Sequence, residues 1–414
     1  MAQLSTQPVR PFTEDDLAKR HVLDRLTIGA TGERLAEVAA MSPAQLVEML
    51  LAEQPSAPPD APLTGDDDWG VPTQWWFDIL RDPASGLHER MVWFWHGHLT
   101  SSIETSSPAM VVRQNQLLRQ HALGNFRELM QAITIDPAML LWLNGAGSTA
   151  DNPNENYARE LMELFAFGRN QGYTETDVHN AARALAGWWV DDEDVITVDF
   201  DRSSGPQRSL PLFGRLVKSA EDVVNAVCDH PACAPYIAGR VYWAFHGVDP
   251  ADDVRAQLAA VFSNGGLEIR PLVEATIRHP SFAEQRGNRP RSHLEWFIAL
   301  SRLYGLDEVD AWPLQMLGQA PFHPPNVAGW PGHDRWISVG AELTKAQVAT
   351  DLAWEVDPPV DGDVMAEYLW RAAIDPSEGT VAALAAATAG PPDDQEQFRT
   401  LLALITLSPE FNVS

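Results

Sequence analysis

Cysteine is almost missing from this chain of 414 residues: Cys228 and Cys233 are the only two, too few for a disulfide framework. Lysine is nearly as scarce, with Lys19, Lys218 and Lys345 alone, so the cationic side chains are almost all arginine, the residue suited to bidentate capture of carboxylate or phosphate. Basic charge is short overall. Lys and Arg number 29 against 57 Asp and Glu, a formal net charge of -28, and a nucleic-acid or anionic-membrane partner would meet long-range repulsion. Long apolar runs are also lacking. Ala138–Leu143 stops far short of the roughly 18 residues that a membrane-spanning helix needs. The opening residues, Met1 to Arg10, carry no apolar stretch of the secretion-signal kind, which leads us to expect a cytoplasmic protein without a membrane span.

What the chain does have is large apolar surface. Its 15 Trp, 15 Phe and 6 Tyr are far more than a disordered tail carries, so a packed core is expected. Helix signals dominate. Thr13-Glu-Asp-Asp16 reads as a capping box, and Ser42-Pro43 opens a second helix with Gln45 at its third position. The stretch 54–68 is rich in Pro, Ala and Asp and reads as a surface loop. From Val71 to Trp189 the helical period is almost continuous, broken at Asp82-Pro83, Gly124, Asp136-Pro137 and 145–152. The β-branched run 194–200 is the clearest strand, and 205–216 is placed to return against it as a hairpin over 193–216. Helical segments follow to residue 407. The expected fold is mainly α: one large multi-helix body over residues 12–408 with a single small inserted β-hairpin.

Three segments carry residues suited to chemistry. In Glu89-Arg-Met-Val-Trp-Phe-Trp-His-Gly-His98, His96 and His98 are candidate metal ligands, since imidazole suits zinc, copper, iron or nickel. Residues two apart on an intact helix stand about 200° round its axis, so a shared ion requires Gly97 to end the helix before His98. Satisfied core histidines are the alternative.

In Asn152-Pro-Asn-Glu-Asn-Tyr-Ala-Arg-Glu-Leu-Met-Glu-Leu-Phe165, Asn152 reads as an N-cap, Pro153 as the first helical residue and Glu155 as the capping-box acid. Glu155 and Arg159 are spaced for an i,i+4 ion pair. Tyr157, Leu161, Leu164, Phe165 and Gly168 make a core stripe, with Asn156, Glu160 and Glu163 together on its flank. Glu160 lies nearest the buried side and is the first carboxylate to test. A solvated face is the alternative, chiefly for Glu163.

In Tyr173-Thr-Glu-Thr-Asp-Val-His-Asn-Ala-Ala-Arg-Ala-Leu-Ala-Gly-Trp188, Thr174 caps a helix whose alanines imply close packing on another helix, the expected one being 153–168. Arg183 stands off that stripe, an anion clamp or the partner of an acidic neighbour. Cys228-Asp-His230 with Cys233 offers a minor metal alternative, although the spacing matches no standard zinc ribbon.

These segments resemble a bacterial family known as domain of unknown function 1800. The matching residues are Phe94-Trp-His-Gly-His98, Arg119-Gln-His-Ala-Leu-Gly-Asn-Phe126, Asp136-Pro-Ala-Met139, Pro153-Asn-Glu-Asn-Tyr-Ala-Arg-Glu160, Tyr173-Thr-Glu175, Asp177, Ala182-Arg-Ala-Leu185 and Gly187-Trp188. A later block, Pro324-Pro-Asn-Val-Ala-Gly-Trp-Pro-Gly332 with Trp336-Ile337, fits as well. The resemblance spans about residues 21–352, leaving 353–414 as a C-terminal helical extension. Gly97 and Leu99 depart from the family's usual Asn and Phe, and His333 from a usual Gly. The resemblance implies no established activity. It implies a partner, because such proteins often occur beside a family similar to alkaline phosphatases and sulfatases, and an exported setting for many members.

Three functions are therefore weighed. The first is an enzyme acting on an anionic small molecule or polymer in a cleft between helices. It would use Glu160, Glu163, Asn156 and Arg183 for catalysis, Arg119, Arg159 and Trp330 for substrate binding, and His96, His98 and Glu160 to hold a divalent transition metal. The second is a non-catalytic scaffold or partner of an alkaline-phosphatase/sulfatase-like protein. The third is a small-molecule binding module with a Trp-rich pocket, one wall of which is the rigid Gly329-Trp-Pro-Gly332 loop flanked by His323 and His333.

Overall fold

The computed structural model describes residues 12–53, 57–64, 70–192, 195–358, 363–387 and 395–414. Local sequence rules account for most element starts. Thr13 Oγ1 accepts the Asp16 N–H at 3.2 Å while the Asp16 carboxylate accepts the Thr13 N–H at 3.0 Å, and the Glu14–Leu26 helix follows. Ser42 and Gln45 form the same reciprocal pair ahead of Pro43–Ala52. The described part of the expected surface loop, residues 57–64, has no regular structure, and its Pro59 carbonyl accepts the Trp75 indole N–H. Residues 54–56 and 65–68 lie outside the described residues.

Among the described residues the protein is mainly α-helical, with two small antiparallel strand pairs. Strand β1 (Trp188–Asp191) pairs with β2 (Thr197–Phe200) in the register Trp188 to Phe200, and β3 (Leu210–Leu212) pairs with β4 (Arg215–Val217). The partner of the β-branched run is thus the segment before it, not 205–216. Two features decide this. Gly187, at φ +104°, lets the chain turn under Phe200, where a Cβ would sit 2.8 Å from the ring. Phe213 and Gly214, both at positive φ, close 210–217 into its own tight hairpin, as two-residue turns of that hand do.

Trp76, Trp95, Trp296, Phe77, Phe126 and Phe165 are fully buried and anchor the core. The Leu87–His98 helix packs along Pro108–His121, and the Glu155–Glu160 helix packs closely on Glu175–Leu185, whose Ala181, Ala182 and Ala184 are buried as the alanine stripe implies. The last residues are tied back into the body. Arg25 donates to the Ser414 carbonyl, Arg20 to those of Glu410 and Val413, and the Trp296 indole to that of Thr406.

Candidate active site

The Leu87–His98 helix runs unbroken through Gly97, so the angular argument holds and the two imidazoles part. His96 is fully buried among Trp76, Trp93, Phe322 and Trp330, at ring separations of 4.8, 5.8, 5.2 and 5.4 Å. Its Nε2 accepts the Phe322 N–H at 3.1 Å, which puts the ring proton on Nδ1. Phe322 sits at φ +65°, a costly conformation for a bulky residue, held by that bond and by Ile103 N–H donating to its carbonyl.

His98 faces the other way. Its Nε2 donates to the Phe165 carbonyl at 2.9 Å, among Phe94, Trp95 and Tyr236. Burial pushes both imidazoles down to about 3, with His323 adding to the effect on His96 and Arg240 on His98. His96, His98 and Glu160 are therefore not brought together as a ligand set. Among the described residues no group of three or more His, Cys, Asp or Glu side chains is placed to hold a metal ion. The donor geometry does not fit the divalent transition metal that the two histidines suggested.

The Gly-Trp-Pro-Gly loop closes over the His96 side. Gly329, at φ +77°, lies so near the helix that a Cβ would stand 2.4 Å from the Gly97 carbonyl oxygen, and Thr100 Oγ1 donates to the Val327 carbonyl at 2.7 Å. Trp330 stacks on Trp93 at 5.3 Å, and a Cβ on Gly332 would meet the Trp243 ring at 2.5 Å. The loop is thus a wall around a histidine rather than a rim around Glu160.

Arg119 is fully engaged inside the protein. Its Nε and Nη2 grip the Glu89 carboxylate at 3.2 and 2.7 Å, Nη1 bonds Asn115, and Glu89 also accepts the Trp76 indole N–H at 2.6 Å. Arg183 Nε donates to the Ala150 carbonyl at 2.9 Å and pins the loop that precedes the Glu155 helix.

That helix starts two residues later than its sequence suggests. Asn152 N–H bonds back to Thr149, Asn154 becomes the N-cap by accepting the Asn156 N–H at 3.0 Å, and Glu155 is the first helical residue rather than a capping-box acid. Glu155 instead meets His179 Nδ1 at 2.9 Å, and Asn156 Nδ2 donates to the Leu143 carbonyl at 3.3 Å. After Glu160 the helix widens into a π-helix, Leu161–Ala166, ended by Phe167 N–H bonding the Met162 carbonyl. The wider turn shifts the apolar stripe. Met162 is buried with Tyr157, Leu161 and Phe165, while Leu164 is only partly so.

The π-turn sets two carboxyl groups side by side in different surroundings. Glu163 accepts the Tyr173 hydroxyl at 2.7 Å and pairs with Arg169 at 3.3 Å and Arg159 at 3.8 Å. Arg159 is itself shared with Glu175, held bidentately at 3.0 and 2.7 Å, and with Glu155 at 3.6 Å. Glu160 has no such support: its Oε2 is buried without a hydrogen-bond partner. Burial raises its pKa, the nearby Glu163 charge raises it further, and Arg169 and Arg159 only partly oppose this. Asn156, Glu160, Glu163 and Arg159 do lie on one helix; His98 meets its π-turn at the Phe165 carbonyl, whereas Arg119, Trp330 and His96 belong to other surroundings. Sequence reasoning missed Arg169 and the Tyr173 hydroxyl as partners of this site, although Tyr173 opens a conspicuous motif; nothing in the residue pattern announces a π-turn.

No curated protein and no solved structure matches the chain. The match to one family, described as "Protein of unknown function (DUF1800)", runs from residue 21 to residue 413 and continues well past Leu352. Covering nearly the whole length, it takes in the histidine helix, the π-turn segment and the Gly-Trp-Pro-Gly loop, and the chain belongs to that family.

Proposed function

We propose that the protein is an acid–base enzyme whose proton-transferring pair is Glu160 and Glu163. One observation carries the reading: the Glu160 Oε2 is buried without a partner beside a carboxylate already held by Tyr173 and Arg169. A carboxyl whose pKa is raised by burial and a neighbouring charge is suited to give up a proton, and the carboxyl beside it, held by Tyr173 and Arg169, to accept one. The π-turn supports the reading, since these rare insertions recur at functional sites. Glu160 is assigned as proton donor and Glu163 as base. Arg169, its side chain 72% exposed, is the cation open to a substrate. Asn156 and Arg183 hold the preceding loop in place.

The three arginines that pointed to an anionic substrate are all engaged, Arg119 and Arg183 internally and Arg159 by three glutamates. Glu155, Glu160, Glu163 and Glu175 outnumber Arg159 and Arg169 around the pair, which favours an uncharged or cationic polar substrate. The test is turnover of a panel of uncharged and cationic esters, amides and glycosides by the wild type and by Glu160→Gln. Turnover abolished in the variant, with an unchanged unfolding temperature, is the expected result. A variant as active as the wild type on the same substrate overturns the assignment.

A second reading, a non-catalytic partner of an alkaline-phosphatase/sulfatase-like protein, is favoured by a different observation. Many polar residues are closed into internal pairs, such as Arg119–Glu89 and Arg289–Glu295, while Trp312, Met316, Ile337, Val339 and Leu343 stand exposed. Under that reading Glu160→Gln leaves partner binding intact, and replacing Trp312 and Val339 by Ser weakens it.

A further inference from the structure

The helix Ile269–Ile277 is followed by His279-Pro280-Ser281, and Ser281 opens the short helix Ser281–Glu284. Three side chains meet there. His279 Nδ1 lies 2.6 Å from Ser281 Oγ, and the Tyr242 hydroxyl, brought by the helix Cys233–His246, lies 2.8 Å from the same oxygen. One backbone contact fixes the direction of both bonds. The Ser281 N–H donates to His279 Nδ1 at 3.3 Å, so Nδ1 presents a lone pair and the ring proton sits on Nε2. Ser281 then gives its single hydroxyl proton to Nδ1, and Tyr242 is left to donate to Ser281 Oγ.

The group is held from two sides. Pro280, at φ -53°, stiffens the link between His279 and Ser281, and the Phe282 N–H closes the turn on the His279 carbonyl at 2.9 Å. Tyr242 is only 4% exposed, its ring stacked at 3.7 Å on the fully buried His246. His279 and Ser281 are half-buried, between that core contact and the surface.

We propose that Ser281 is a nucleophile, with His279 its base and the Tyr242 hydroxyl the donor to the developing oxyanion, in a second site that hydrolyses esters of short carboxylic acids. The geometry supplies what acyl transfer needs: a hydroxyl within hydrogen-bond reach of an unprotonated imidazole nitrogen, and a fixed O–H donor beside the attacking oxygen. With His279 and Tyr242 both against the half-buried Oγ, a short acyl group is favoured over a bulky one. The site shares no residue with the Glu160 pair.

The atoms balance. As Ser281 Oγ bonds the carbonyl carbon, its proton passes to His279 Nδ1, the carbonyl π pair moves onto oxygen, and Tyr242 donates to that oxyanion. Collapse breaks the carbon–oxygen bond to the leaving group, which takes the proton from His279 and departs as the alcohol. Water then gives a proton to Nδ1 and adds to the acyl carbon, and Ser281 Oγ leaves with that proton. One ester and one water become one acid and one alcohol.

The experiment treats the full chain with diisopropyl fluorophosphate, maps the adduct by peptide mass spectrometry, and follows p-nitrophenyl acetate turnover in parallel. Ser281 should carry the adduct, and Ser281→Ala should lose both the adduct and the turnover. His279→Asn separates a base from a turn: its amide oxygen still accepts from the Ser281 backbone but takes up no proton. Both reactions should slow by about 100-fold or more in that variant, the scale of a lost general base. A smaller slowing, with Ser281 still labelled, means that His279 serves the turn alone and overturns the proposal. A wild type without an adduct on Ser281 overturns it whatever the variants do.

Discussion

Replacing Arg119 by Met separates a structural arginine from a substrate-binding one. The guanidinium makes two bonds to Glu89 and one to Asn115, and both members of the ion pair are more than nine-tenths buried. Methionine fills much of the same volume but leaves the Glu89 carboxylate with the Trp76 indole N–H as its remaining side-chain partner. Breaking a buried pair from one side strands the other charge and costs about 3–5 kcal/mol, against the roughly 0–1 kcal/mol of an exposed pair. Urea unfolding followed by tryptophan fluorescence reads the difference as a shift in midpoint at constant slope. The cycle is completed with Glu89→Gln and the double variant. The amide that replaces the Glu89 carboxylate carries no charge to strand, and its oxygen still accepts from Trp76. The double variant should therefore regain about 1–3 kcal/mol over the sum of the single losses. A loss below about 1 kcal/mol in Arg119→Met, or strict additivity in the cycle, refutes the reasoning and returns Arg119 to the candidate substrate ligands.

Three further outcomes are expected. Burial holds His96, His98 and His246 at about 3 and His21 at about 4, so each takes up a proton on unfolding below its ordinary value of 6.5. Their stabilisation is complete above pH 6.5 and is lost as the pH falls towards 3–4, at about 1.4 kcal/mol per pH unit for each. Asp136, raised by burial to about 6, works in the opposite sense, and near pH 5 these five groups leave a net uptake of about three protons, roughly 4 kcal/mol per pH unit; urea midpoints that stay flat between pH 6 and 4.5 contradict this. Gly329→Ala should lower stability by at least about 1–2 kcal/mol from the left-handed backbone alone, with a further loss from the contact on Gly97, and an unchanged thermal midpoint rules that out. Asn154→Ala should cost about 1 kcal/mol as the true N-cap, whereas Asn152→Ala and Glu155→Gln should each cost less; the reverse order in thermal unfolding restores the earlier helix start.

Element types were legible where a local rule applies. Thr13, Ser42, Thr174 and the alanines of the Glu175–Leu185 helix do what their positions imply. The 200° rule also stated the condition on which a shared His96–His98 site depended, and the helix passed through Gly97 because a glycine only weakens a helix that tertiary packing holds on both sides. Other features depend on partners remote in sequence. Nothing near Arg119 in the chain reveals that Glu89 claims it, since the two meet across different helices. The N-cap moved from Asn152 to Asn154 because Thr149 and Ser148 bind the intervening backbone. The β-branched run found its partner upstream because Gly187 lets Trp188 turn beneath Phe200. Glu160 was legible as the carboxylate at the core edge, but its isolation, and the Tyr173 and Arg169 bonds that occupy Glu163 instead, arise from the π-turn, which leaves no mark in the residue pattern.

The most direct measurement is the carboxyl titration of Glu160, followed by ¹³C NMR on glutamate-labelled protein and assigned with Glu160→Gln. The Glu160 resonance should titrate above the ordinary glutamate value of 4.5 and move back towards it in Glu163→Gln, because one cause of the rise is the Glu163 charge. A Glu160 that titrates at or below 4.5, or one that Glu163→Gln leaves unmoved, contradicts a proton-sharing pair.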